Sequence, residues 1–179
     1  MKLLAIVGMP GAGKSVAAEF FKTKGIPILR FGDQTDIGLK EFGLEKNEKN
    51  ERWYREKLRK ELGLSAYAIK IEPRILEAAK THDTIVLDGL YSWEEYIVLK
   101  NKFPMLQILC VYASPKIRRL RLKKRTVRPL TEEESRSRDI SELENLNKGG
   151  PIAIADYLIS NQSDEQTFKK ELEGFFVTL

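Results

Sequence analysis

An eight-residue segment near the start of the chain constrains the fold more than any other feature. It satisfies the pattern G-x-x-x-x-G-K-[ST] and comprises Gly8, Met9, Pro10, Gly11, Ala12, Gly13, Lys14 and Ser15. A short apolar run before it, Leu3 to Val7, indicates a buried strand, and residues 16–24 after it have helical composition. Glycine accepts the backbone dihedrals and close approach that wrapping an anion requires. Strand, loop and helix in this order predict a phosphate-binding loop.

The chemistry of this loop follows from its amides and two of its side chains. Amide hydrogens of the loop and of the first helical turn would point at phosphate oxygens, helped by the positive end of the helix dipole. Lys14 would reach the outer phosphates, and the hydroxyl of Ser15 would hold magnesium. We therefore expect a nucleotide and Mg²⁺ as cofactors. The nucleotide is expected to be ATP rather than GTP, because the sequence contains no Asn-Lys-x-Asp motif for guanine recognition. The alternative is a glycine turn with an incidental lysine.

Four further runs suited to buried strands follow the first, and helical or polar stretches separate them. This alternation predicts an α/β fold with a parallel sheet, helices on both faces, and sites at the carboxyl ends of the strands. A length of 179 residues predicts one domain over residues 1–179. The five predicted strands are Leu3–Val7, Ile26–Arg30, Thr84–Asp88, Leu106–Tyr112 and Asp156–Ser160.

Two segments are longer than a crossover between strands needs. The first, about 33–80, contains an amphipathic helix at 51–62 that Gly63 would end. The second spans about 114–150 and begins with Ser114-Pro115, a favoured helix start.

A second helix is expected within the 114–150 segment. Thr131 would open it with a capping box. Its Ile140, Leu143 and Leu146 share one face, and Gly149-Gly150-Pro151 is expected to stop it.

The composition indicates a cytosolic protein that does not associate with a membrane. The longest apolar runs are far too short to cross a bilayer, and the start of the chain lacks the apolar core of a signal peptide. Cys110 is the only cysteine, which excludes an internal disulfide, and its apolar neighbours suggest a buried strand position. The net charge of +5 is modest, but its distribution is uneven.

Basic residues crowd the first helix of the 114–150 segment. Arg118, Arg121 and Arg125 fall on one side of it, while Ile117 and Leu120 lie together elsewhere and are expected to pack inward. Arg138 approaches from the next helix. Guanidinium groups on a mobile lid can clamp a triphosphate and neutralise the charge of the group in transfer. A solvated basic face and an RNA-backbone footprint are the alternatives.

Aspartates follow two of the predicted strands. Asp33 lies where an acceptor should dock, and its carboxylate can orient or deprotonate an attacking hydroxyl. A helix cap is the alternative for Asp33, and it is the preferred reading for Asp36. Asp88 ends the third strand and can hold magnesium or its waters opposite Ser15, with a plain turn aspartate as the alternative.

The order of these motifs resembles that of the nucleoside-monophosphate kinases and dephospho-coenzyme A kinases, and within that group the adenylate-kinase-related proteins of archaea. Besides the loop, the similar segments are Phe31-Gly32-Asp33, Asp88-Gly89, Arg121 to Arg125 and Ala155 to Asn161. The resemblance implies a three-layer P-loop fold with strand order 2-3-1-4-5, an acceptor-binding insertion and a lid. Together with the reading of the individual residues, we expect catalytic roles for Lys14, Asp33, Arg121 and Arg125. Nucleotide binding is expected from the loop, Arg118 and Arg138.

The sequence departs from adenylate kinases at two places. Asp36 stands where those enzymes carry an arginine, and Leu90-Tyr91-Ser92 replaces the Phe-Pro-Arg that follows their Asp-Gly. Both missing arginines would have gripped the phosphate of an acceptor nucleotide, which argues against adenosine monophosphate as acceptor. We expect a kinase that uses ATP and a small-molecule or nucleotide acceptor. The alternative is a slow ATPase regulated by RNA, the ribosome or a protein partner.

Overall fold

A computed structural model describes residues 1–126 and 128–179. Within these residues five parallel strands form one sheet in the order β2-β3-β1-β4-β5. The predicted fold class and strand order are therefore confirmed. The assignment of the whole chain to one domain stays a prediction. The strands are β1 Lys2–Val7, β2 Ile28–Arg30, β3 Thr84–Asp88, β4 Leu106–Tyr112 and β5 Tyr157–Ser160.

Helices connect the strands and cover both faces of the sheet. No helix in the described part of the chain is long and apolar enough to cross a bilayer. A short 3₁₀ turn at Gly63–Ser65 separates two of the helices. The helices are α1 Lys14–Thr23, α2 Asp33–Glu41, α3 Glu48–Leu62, α4 Ala66–Ala78, α5 Trp93–Lys102, α6 Pro115–Lys124, α7 Glu132–Leu146, α8 Gly149–Ala153 and α9 Glu165–Thr178.

Successive side chains of β1 enter two different cores, because side chains alternate across a strand. Leu3, Ala5 and Val7 pack in the core that α2 to α5 cover. Leu4 and Ile6 pack in the core formed with α1 and α9. All five side chains are nearly inaccessible to solvent. β1 is thus buried on both faces, and its carboxyl end presents the following loop at the edge of the sheet.

The predicted helices of the two long segments form, with corrections at two boundaries. α3 begins at Glu48 rather than at residue 51. α3 ends at Leu62, and Gly63 follows with a φ of 72°. Thr131 caps α7 in a complete capping box. Gly149-Gly150-Pro151 does not stop that helix, because Asn147 has already ended it with a φ of 49°. The three residues instead form the start of α8.

The apolar face predicted for α7 is largely exposed rather than packed. Ile140 and Leu143 have exposed fractions of 48% and 46%. The less accessible side chains of this helix are instead polar: Ser135 is buried, and Asp139 and Glu142 form ion pairs with Arg118 and Arg138. The inner face of α7 therefore carries polar side chains and does not join the apolar core.

Candidate functional site

The backbone of the Gly8–Ser15 loop turns sharply between β1 and α1. Gly8 and Gly13 have φ values of 142° and 112°, a region that residues with a Cβ rarely adopt. A Cβ on Gly8 would lie 2.3 Å from the carbonyl oxygen of Val111, and one on Gly13 would lie 2.2 Å from Nδ2 of Asn161. Both glycines are required by shape as well as by dihedral angle. The loop leads directly into α1, whose first residue is Lys14.

The ammonium group of Lys14 lies against its own loop. Its Nζ donates hydrogen bonds to the carbonyl oxygens of Gly8 at 2.8 Å and Met9 at 3.2 Å. Burial, together with the positive charge of Lys148, lowers the pKa of Lys14 to about 7. A second negative group near this nitrogen would reverse that effect, because an opposite charge favours the protonated amine. The lysine is thus placed to respond to an arriving phosphate.

Ser15 and Asp88 line one pocket of about 330 Å³ between α1 and the ends of β2 and β3. Burial raises the pKa of Asp88, while Arg30, whose Nε lies 3.5 Å from the Asp88 carboxylate, opposes that shift. No cluster of three or more histidine, cysteine, aspartate or glutamate side chains suited to a metal occurs among the residues described. A hydroxyl and one carboxylate fit Mg²⁺, which keeps several waters and takes substrate phosphates as its other ligands.

Asp33 occupies the first position of α2, directly beyond the carboxyl end of β2. The helix cap is Gly32 and there is no side-chain capping bond, so the cap alternative for Asp33 is not what forms. Nη2 of Arg74, on α4, lies 3.3 Å from the Asp33 carboxylate. Asp36 is one helical turn further on, where it pairs with Lys46 at 2.7 Å on the surface. Of the two aspartates, only Asp33 faces the edge of the sheet.

Arg118 requires a correction, because its guanidinium does not project into a nucleotide cleft. It is 5% exposed and forms a two-pronged ion pair with Asp139, with both N–O distances 2.8 Å. Its other hydrogen bonds go to the carbonyl oxygens of Pro10 at 3.0 Å and Ala113 at 3.2 Å. With four bonds to protein acceptors, Arg118 supports the loop from behind and ties it to α7.

The burial of Arg118 also reverses the expected orientation of α6. The helix buries Arg118 and Leu122. Leu120, predicted to pack inward, is 51% exposed, and Ile117 is only half-buried. A fully paired guanidinium satisfies its polar atoms, which allows it to replace an apolar side chain on the inner face.

Arg121 connects α6 to the loop through Asn161. Its Nη2 donates to Oδ1 of Asn161 and to the carbonyl oxygen of Ser163, both at 3.0 Å. Nδ2 of Asn161 in turn donates to the carbonyl oxygen of Ala12 at 2.8 Å. The other terminal nitrogen of Arg121, Nη1, is buried and has no hydrogen-bond partner in the described part of the chain. An unpaired buried donor of this kind is costly unless a ligand accepts from it.

A groove of about 370 Å³ runs beside Arg121, between α6 and the turn that follows β5. Aliphatic side chains of Ile117 and Leu120 and the guanidinium groups of Arg121 and Arg125 line it. Nε of Arg125 donates to the carbonyl oxygen of Arg128. Arg138, on α7, bonds Glu142 at 3.1 Å. Apolar walls combined with planar cations suit a flat aromatic ring.

Two site residues escaped the sequence analysis, Glu142 and Lys148. Lys148 is 2% exposed and its Nζ bonds the carboxylate of Glu142, which also bonds Arg138. The spacing of four between Arg138 and Glu142 is common on solvated helix faces and gave no signal of a buried cluster. Lys148 stands in a polar segment before two glycines, where the sequence indicates only a loop.

Comparison with known proteins places the chain in a family. A family model described as an AAA domain matches residues 4–142. A UPF0200 protein of Pyrococcus abyssi is 35% identical over 175 residues, which cover 96% of this chain and 93% of the relative. The chain belongs to the UPF0200 family. A further UPF0200 protein, from Thermococcus sibiricus, is 33% identical and covers 96% of this chain and 92% of its own length.

Solved structures show that this UPF0200 member has the fold of small P-loop kinases. The structure of TT1252 from Thermus thermophilus has a TM-score of 0.67 at 16% identity, covering 99% of this chain and 97% of its own. Shikimate kinase from Bacteroides thetaiotaomicron has a TM-score of 0.61 at 14% identity, covering 99% of each chain. At these identities the likeness concerns the fold alone.

Proposed function

We propose that this UPF0200 protein is a magnesium-dependent phosphotransferase that moves the γ-phosphoryl group of ATP to a hydroxylated small molecule or nucleotide. The observation that carries the proposal is the position of Asp33. Its carboxylate has no capping role, contacts Arg74, and stands at the same sheet edge as the loop lysine and Asp88. A simple nucleotide-binding module does not need a carboxylate there, whereas a kinase needs one to orient its acceptor.

The donor side would hold ATP with its phosphates in the loop and its base beside α6. Loop amides and Lys14 would bind the β- and γ-phosphates, and Ser15 and Asp88 would hold Mg²⁺, which neutralises phosphate charge when bound. The aliphatic groove beside Arg121 has room for the adenine ring. The unpaired Nη1 of Arg121 is a suitable donor for the nucleotide. Arg125 and Arg138 stay candidates for contacts with the phosphates as the lid closes.

The acceptor side would use Asp33 as the base. An acceptor hydroxyl forms a new bond to the γ-phosphorus, the bond from that phosphorus to the bridging oxygen of ADP breaks, and the hydroxyl proton passes to the Asp33 carboxylate. Arg30 and Arg74 flank this carboxylate and its neighbour Asp88. Their guanidinium groups supply positive charge at the edge where the adenylate-kinase arginines are missing. A likeness to adenylate or dephospho-coenzyme A kinases in the type of reaction is part of this proposal, although the missing arginines argue against adenosine monophosphate as the acceptor. The same assay tests dephospho-coenzyme A and the other acceptors.

The test compares two aspartates of one helix. Once γ-labelled ATP and a panel of acceptors have identified the labelled product, Asp33→Asn should lower kcat by about 100-fold or more, the usual contribution of a general base. Its dissociation constant for ATP should change little, because Asp33 lies on the acceptor side. Asp36→Asn, which loses only a surface pair with Lys46, is the matched control. Transfer by Asp33→Asn at the rate of the control would refute the assignment of Asp33.

A further inference from the structure

Lys148 is a buried lysine whose ammonium group is paired inside the fold. It immediately precedes α8 and is 2% exposed, although lysine is almost never fully buried unless it is paired. Its Nζ bonds Glu142 and lies 5.1 Å from the centroid of the Tyr91 ring. Burial lowers the pKa of Lys148, and Glu142 opposes that shift. A buried ion pair of this kind contributes little to stability on average, so stability alone does not explain why a lysine is buried here.

The carboxylate of Glu142 is outnumbered by the cations around it. Lys148 and Arg138 both bond it. Lys14 is close enough for the charges of Lys148 and Glu142 to shift its pKa. Two other acids lie close by, but each has its own cation: Asp88 is paired with Arg30, and Asp139, whose charge also acts on Lys148, is paired with Arg118. Three cations are thus left with Glu142 as their shared carboxylate. Lys148 is buried, whereas the Arg138 side chain is 47% exposed. A local excess of cations over carboxylates of this kind favours an anionic ligand.

The surroundings of Lys148 place it between the donor and acceptor sides. Tyr91, under its ammonium group, follows the end of β3 by three residues. The ring of Tyr91 packs edge-on against Phe31 at 6.4 Å, and Phe31 precedes Gly32 and Asp33. Lys148 therefore stands over the residues that link the magnesium carboxylate to the acceptor carboxylate. In a phosphotransferase, the γ-phosphoryl group passes from the donor to the acceptor between these two carboxylates.

We propose that Lys148 is a second phosphate-binding lysine, which contacts the γ-phosphoryl group of the bound nucleotide, and that Glu142 is its counter-ion while the nucleotide is absent. The inference rests on the proposed function for the identity of the ligand. An incoming γ-phosphate carries more negative charge than one carboxylate and offers more acceptor oxygens. Lys148 would exchange Glu142 for the phosphate, while Arg138 continues to hold the carboxylate.

The test measures discrimination between ATP and ADP, because a ligand of the γ-phosphate acts on the triphosphate alone. Dissociation constants of Mg-ADP and of a Mg-ATP analogue with a methylene β–γ bridge are determined by calorimetry. Lys148→Met should weaken binding of the analogue about 10- to 100-fold, the loss expected for one charged hydrogen bond. Its ADP affinity should stay within about threefold of the original. Lys148→Arg should restore most of the loss.

Two further variants keep the test decisive. Lys100→Met removes another partly buried lysine, which bonds the carbonyl oxygen of Leu106 away from the site, and should leave both affinities unchanged. Glu142→Gln removes the competing charge and should strengthen binding of the analogue relative to ADP, even if Lys148→Met fails to fold.

An equal effect of Lys148→Met on the two nucleotides, or an unchanged ratio in Glu142→Gln, would overturn the inference and leave Lys148 a structural partner of Glu142. The proposed function fails separately if the original protein and its variants show the expected ratios of analogue to ADP affinity but the original protein transfers no phosphoryl group to any acceptor.

Discussion

Replacing Arg118 by methionine should destabilise the protein strongly, although Lys116, Lys123 and Lys124 on the same helix are exposed. The substitution keeps an unbranched chain but removes all four hydrogen bonds of the guanidinium. Asp139 would then keep a carboxylate of which only 13% is accessible, without its cation. The carbonyl oxygens of Pro10 and Ala113 would lose a donor as well. The dominant cost is the uncompensated buried charge.

The expected loss is about 3–5 kcal/mol, the range for breaking a buried ion pair by removing one partner. For 179 residues, an unfolding entropy of about 2.1 cal/mol/K per residue gives roughly 2.7 °C per kcal/mol, hence a fall in Tm of about 8–13 °C. Because Pro10 belongs to the phosphate-binding loop, Mg-ATP affinity should also fall. The variant Arg118→Met with Asp139→Leu should recover part of the stability, since it leaves no orphan charge.

Urea denaturation and calorimetry measure both quantities, and Arg119→Met is the matched control. Arg119 is the next residue of α6, and it contacts Glu132 at 3.5 Å, a glutamate with 79% of its side chain exposed. Loss of such a surface pair costs about 1 kcal/mol or less. If Arg118→Met unfolds within about 1 kcal/mol of this control, the buried pair does not hold the loop and the reasoning fails.

Three further predictions concern pH and the loop. The pKa of Lys14 is lowered to about 7 in the absence of nucleotide, so Lys14 should take up a proton when a bound phosphate raises that pKa, and Mg-ATP affinity should fall as pH rises above about 7. Calorimetry in buffers of different ionisation enthalpy should detect this proton at pH ~8, and no proton uptake would contradict the mechanism. Burial raises the pKa of Glu95 to about 7, so the folded state holds this proton more tightly than the unfolded chain, and the free energy of unfolding should fall between about pH 4.5 and 7. Glu95→Gln should abolish this pH-dependent part of the stability, and parallel stability curves for the two proteins would refute the assignment. Asn161→Ala removes the donor to the carbonyl oxygen of Ala12 and one of the two acceptors of Arg121 Nη2. It should lower the free energy of unfolding by about 1–3 kcal/mol in urea titrations, and an unchanged midpoint and slope would show that this bridge is dispensable.

The sheet and the loop could be predicted from the sequence because their signals are local. A strand buried on both faces is a continuous apolar run, and β3 and β4 match their predicted bounds. The predicted second and fifth strands were too long at their starts, since β2 begins at Ile28 and β5 at Tyr157. Edge strands pair on one side only, so their limits depend on neighbours that the local pattern does not reveal. The Gly8–Ser15 loop could be predicted because its turn depends on glycines with positive φ, which the sequence shows directly.

The contacts within the 114–150 segment could not be predicted, because the residues that pair there are distant in sequence. Arg118 is separated by 21 residues from Asp139 and by 108 from Pro10. A basic helix alone does not distinguish a buried, paired arginine from a clamping one. Lys148 is defined by its contacts with Glu142 and Tyr91, which only the packed fold brings together. Asp33 was the intermediate case, because the sequence located it at the sheet edge and the fold removed its capping alternative.

The fate of the γ-phosphorus decides whether ATP donates a phosphoryl group to an acceptor beside Asp33. The protein is incubated with Mg²⁺ and γ-labelled ATP against nucleoside monophosphates, dephospho-coenzyme A, and small hydroxylated acids and sugars. The labelled products are then separated from inorganic phosphate. We expect label in one class of acceptor, with little inorganic phosphate formed once that acceptor is saturating. Label that appears only as inorganic phosphate with every acceptor, and faster when RNA or a protein partner is added, would contradict this expectation and identify a partner-regulated ATPase.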